Sequence, residues 1–77
     1  MNYDLDTDDG MKNAMEWTRR TLSHIKQGGT WAIPRSNTFI KVDHENKTAY
    51  LINATNEQNI IRILNELGWH TVILQEE

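Results

Sequence analysis

Apolar positions follow two patterns along this chain, one at helical spacing and one alternating. Met11, Ala14, Met15, Thr18, Leu22 and Ile25 obey i, i+3, i+4, i+7 spacing, which predicts an amphipathic helix from about Asp9 to Gln27. Gly28 and Gly29 follow it as a stop, because a left-handed residue after the cap ends a helix at little steric cost. Trp17 lies about 120° from the centre of the apolar stripe at 100° per residue. It is either the edge of the core or an exposed aromatic anchor of the kind enriched at interfaces.

Thr30–Ile33 reads as a short strand stopped by Pro34, which has no N–H to give a ladder. Thr38–Asp43 alternates, with Ile40 and Val42 on one face and Phe39 and Lys41 on the other. His44–Lys47 is a polar turn, and Thr48–Ile52 returns to complete a hairpin. The second helix opens on a capping box, Thr55 with Gln58. It buries Ile60, Ile63, Leu64 and Leu67, with Ile61 on the flank. Gly68 and Trp69 then supply the Gly and apolar partner of a Schellman stop. Trp69–Leu74 is the last strand, followed by Gln75-Glu76-Glu77. A strand, helix and strand in succession imply a right-handed crossover, so this strand should run parallel to Thr48–Ile52.

The sum is an α+β fold in the order α-β-β-β-α-β, a mixed four-stranded sheet with both helices on one face. Its other face would carry Phe39 or Tyr50 with no element left to cover it. A half-open sheet that is only partly polar predicts a homodimer or a partner protein.

At 77 residues this is one small domain. The absence of cysteine excludes a disulfide framework and thiolate chemistry, and favours a reducing compartment. No apolar run approaches a membrane span, and the acidic start does not read as a signal peptide, so a cytoplasmic protein is expected. The net charge of −3 is unevenly placed: residues 1–10 hold four aspartates and no cation, and the other 67 residues balance eight cations against 11 − 4 = 7 acids. Residues 1–8 therefore read as an acidic arm and 9–77 as the single domain. Thr7, Asp8 or Asp9 can cap the first helix, whose dipole favours negative charge there. Asp4-x-Asp6-x-Asp8 imitates the start of a calcium loop, but position six is Asp9 rather than Gly, and position twelve lands on Met15.

The most unusual stretch is Gly28-Gly29-Thr30-Trp31-Ala32-Ile33-Pro34-Arg35-Ser36-Asn37-Thr38. Arg35 suits bidentate capture of carboxylate or phosphate, Ser36 and Thr38 offer hydroxyls, and Trp31 offers a stacking face. A plain turn, with Arg35 paired to an arm aspartate, accounts for the same residues. The run GGTWAIPRSNT, between an amphipathic helix and a hairpin, resembles a Gly-Gly-x-Trp-x-x-Pro-Arg-Ser motif of small uncharacterised accessory proteins of tailed bacteriophages. Asn37 stands where those proteins usually have Gly. The likeness covers roughly residues 20–53, and it implies a phage-type protein acting in the host cytoplasm, with no activity attached.

No catalytic set is visible. His24, His44 and His70 lack ligand spacing, Ser23 and Ser36 lack a nucleophile elbow, and the Gly pairs form no phosphate loop. The expectation is a protein with no cofactor or metal that is not an enzyme. It would bind and modulate a host protein through Trp17, Trp31, Arg35 and the open sheet face. The alternative is an oligomer that sequesters an anionic small ligand such as a nucleotide signal, held by Trp31, Arg35, Ser36 and Thr38. Nucleic acid is a poor fit, since the cations are few and Arg20 lies opposite the buried stripe.

Overall fold

The chain runs α1 (Asp8–Ser23), β1 (Thr30–Ala32), β2 (Phe39–Asp43), β3 (Thr48–Ile52), α2 (Gln58–Glu66) and β4 (His70–Leu74). This computed structural model describes residues 2–33, 37–53 and 58–74. Pro34, Arg35, Ser36 and the capping box on Thr55 lie outside the described residues.

The four strands form one mixed sheet in the order β1-β2-β3-β4, antiparallel except for the parallel β3–β4 pair. Alternation decides which side chains face the helices. Ile40 and Val42 of β2 lie opposite Leu51 and Ala49 of β3, and all four are fully buried. They pack with Leu22 of α1 and with Ile60 and Leu64 of α2, which puts both helices on one face of the sheet.

The stop of α2 follows directly from its residues. The Trp69 N–H donates to the Leu64 carbonyl (2.9 Å) and the Gly68 N–H to the Asn65 carbonyl (3.0 Å). These are the paired bonds of a Schellman motif, and Gly68 takes the required left-handed φ of 86°.

The stop of α1 differs from expectation. The helix ends at Ser23, with the His24 and Ile25 N–H groups folding back on Thr21 and Leu22 in a tight last turn. Residues 24–27 leave the helix because the chain after them is claimed by the sheet. The Gly28 N–H donates to the Val42 carbonyl (2.8 Å), and the Val42 N–H donates to the Gly29 carbonyl (2.9 Å). The Gln27 side chain bridges to the hairpin turn, its amide donating to Asp43 (2.7 Å) and its oxygen accepting from the His44 N–H (2.6 Å). Pairing with β2 overrides four more residues of local helical preference.

Candidate interaction site

Thr7 caps α1, its hydroxyl accepting from the Gly10 N–H (3.0 Å). The preceding segment lies against both helices. Asn13 donates to the Asn2 carbonyl (2.8 Å), and Arg62 on α2 donates to the Leu5 carbonyl (3.3 Å) while lying 3.6 Å from the Asp6 carboxylate. Gly10 permits this, because an added Cβ would fall on the backbone of Asp4. Arg62 went unnoticed in the sequence. The only hint was an acidic arm beside a body with a slight excess of cations.

The packed arm lines a groove between the helices. The groove has a volume of about 660 Å³, with Tyr3 and Leu5 from the arm, Trp17 and Thr18 from α1, and Ile60 and Ile63 from α2 on its walls. That size lies within the ordinary range of ~300–1,000 Å³ for binding clefts. Tyr3 and Trp17 are both about half-exposed. Beneath them the Thr18 hydroxyl is buried and has no hydrogen-bond partner among the described residues. Within a helix such a hydroxyl normally bonds the carbonyl four residues back, as Thr21 does to Trp17 at 2.9 Å.

Trp31 stands beside the groove. It pairs with Ile40 in the sheet, so it shares the helix-side face and packs on the core. The Trp17 and Trp31 rings meet with centroids 5.5 Å apart and planes inclined at 55°. One side of the Trp17 ring braces Trp31 while 44% of the residue stays exposed. The fold therefore unites Trp17 and Trp31. Thr38 does not join them, being buried at 1% exposure with its hydroxyl donating to the Asn53 carbonyl (3.3 Å).

The opposite sheet face carries a row across all four strands, Ala32, Phe39, Ile52 and Leu74, each aligned with the next. Phe39 and Leu74 are 44% and 42% exposed. Thr30, Lys41, Tyr50 and Val72 form the next row. One end of this face is thus apolar and the rest mixed.

On α1 one carboxylate is paired twice. Glu16 accepts from both Arg19 (2.7 Å) and Arg20 (3.2 Å), and the Arg19 hydrogen bonds hold its carboxyl below the usual range. The His44 Nε2 lies 2.6 Å from the Ile25 carbonyl, and its ring meets Trp69 edge-on at 5.7 Å. Among the described residues no three His, Asp or Glu gather as metal ligands. Among them, too, no helix is long and apolar enough to cross a membrane.

Comparison with protein-family models, curated proteins and solved structures returns no match. Fold and site together define a small α+β domain with an aromatic-walled groove between its helices.

Proposed function

We propose that this protein is a non-catalytic interaction module that takes apolar side chains of a partner protein into the groove walled by Trp17. The half-exposed Trp17, braced from behind by Trp31, carries this reading. A rigid aromatic beside an apolar cleft is the usual composition of an interface hot spot, because little conformational entropy is lost on contact. An amphipathic helix laid between α1 and α2 is the recognition mode that suits a groove of this shape. The phage-like motif adds that the partner belongs to a bacterial host and is redirected or blocked.

Peptide selection against the immobilised protein tests the proposal. Selected sequences should carry apolar anchors at helical spacing, and Trp17→Ala should abolish their binding. Binding that survives Trp17→Ala would count decisively against the groove.

The sequestering alternative depends on Arg35 and Ser36 beside Trp31. A thermal-shift screen with cyclic and linear nucleotides decides it, since a bound ligand raises the melting point by mass action. The pairing of Arg19 and Arg20 with Glu16 supports a reading without nucleic acid, and a gel shift with a salt-dependent complex would oppose it.

A further inference from the structure

Three threonines are the buried polar residues among those described, and they fare differently. The Thr38 hydroxyl donates to the Asn53 carbonyl (3.3 Å) and the Thr48 hydroxyl to the Asn46 carbonyl (3.1 Å). The Thr18 hydroxyl has no partner among the described residues. Its residue is 0% exposed, so bulk water does not serve it either. A buried hydroxyl left unpaired is a standing cost to the fold.

Its position gives that cost a use. Thr18 lines the groove beside Ala14, Ile60 and Ile63, whose side chains offer only carbon. Tyr3, Trp17 and Asn59 also carry polar atoms, but each of these residues is exposed. The groove is therefore apolar in its depth, with a single hydrogen-bonding group set into it.

We infer that the deepest anchor of the partner is a tyrosine, whose ring fills the apolar part of the groove and whose phenol bonds the Thr18 hydroxyl. This rests on the groove being the recognition surface proposed above and names the chemistry of its central contact. A side chain that reaches Thr18 must be apolar along its length and polar only at its tip. Leucine, methionine and phenylalanine fill such a space but leave the hydroxyl unpaired. Lysine and arginine would bury a charge where no lining residue carries the opposite one. Serine, threonine and asparagine hold their polar atoms too close to the backbone to reach past Trp17. Tyrosine places its O–H at the far end of a flat ring, and phenol and threonine hydroxyl each donate and accept, so the pair forms in either sense. Entry requires a small shift of the cover. Trp17 is braced by Trp31, so Tyr3 is the ring that gives way, on an arm whose contacts with Asn13 and Arg62 are exposed.

The peptides selected against the immobilised protein provide the probe, remade with Tyr, Phe or Leu at each anchor in turn. At one anchor Tyr should bind roughly threefold to tenfold tighter than Phe, the worth of one net hydrogen bond. In Thr18→Val that ratio should fall to about one, whereas Thr18→Ser, which restores the hydroxyl, should keep it. Each ratio is taken within one variant, so changes in stability cancel. Equal binding of Phe and Tyr at every anchor of the wild type would overturn the inference. So would a Tyr preference that persists in Thr18→Val, or one lost equally in Thr18→Ser, and all three results leave the groove itself in place. Peptide binding untouched by Trp17→Ala overturns the groove, and this inference with it.

Discussion

Trp17 of α1 and Trp31 of β1 lean on one another at 5.5 Å, and the contact divides labour between them. Trp31 packs into the core from the edge strand, while Trp17 shares one side of its ring and exposes the rest. Substitution should therefore separate the two. Trp17→Ala should cost only the aromatic contact, about 0.5–1.5 kcal/mol, while abolishing peptide binding. Trp31→Ala should cost about 3 kcal/mol or more, because it opens a cavity beside Leu22 and Ile40. Urea unfolding of both variants measures the difference, and equal losses would show that Trp17 is only core.

Thr18 presents the reverse situation, a polar group with nothing to bond. Its hydroxyl is buried beneath the groove without a partner among the described residues. Thr18→Val keeps the shape and removes an unsatisfied group, so stability should rise by about 0.5–1 kcal/mol. A loss exceeding about 1 kcal/mol would reveal a partner for the hydroxyl. Denaturant midpoints read this directly.

At Gly10 helix propensity and packing oppose each other. Alanine in a helix is favoured over glycine by about 1 kcal/mol. Here, however, its Cβ would fall on the Asp4 backbone. Gly10→Ala should lower the melting temperature and release the arm, visible as faster amide exchange at residues 2–6. A stabilised Gly10→Ala variant would mean that the arm does not pack on α1.

Part of the acid sensitivity should reside at the hairpin turn. The Gln27 hydrogen bond, followed by those of Asn46, holds the Asp43 carboxyl below its ordinary range. A carboxylate lowered by folding favours the native state above its unfolded value, about 4, and loses that contribution as pH falls through the lower folded value. Gln27→Ala removes the largest cause and should flatten part of the melting-temperature decline between about pH 5 and pH 3. Matching acid profiles for the wild type and the variant would refute the linkage.

The α+β class, the element order and the parallel last strand were readable from the residues, because each rests on local chemistry. Gly68 and Trp69 close a helix by bonds within one turn, and the alternation of Phe39, Ile40, Lys41 and Val42 assigns faces without knowledge of the neighbours. The order β1-β2-β3-β4, the early end of α1, the docking of the arm through Arg62 and the meeting of Trp17 with Trp31 were decided only in three dimensions. Each of these depends on contacts between residues far apart in the chain, and no periodicity records such contacts. Thr38 illustrates the difference: its composition suits a binding loop, yet the sheet turns it inward to the Asn53 carbonyl. Local spacing determines which elements form. Burial against distant partners determines which of their side chains remain outside to recognise anything.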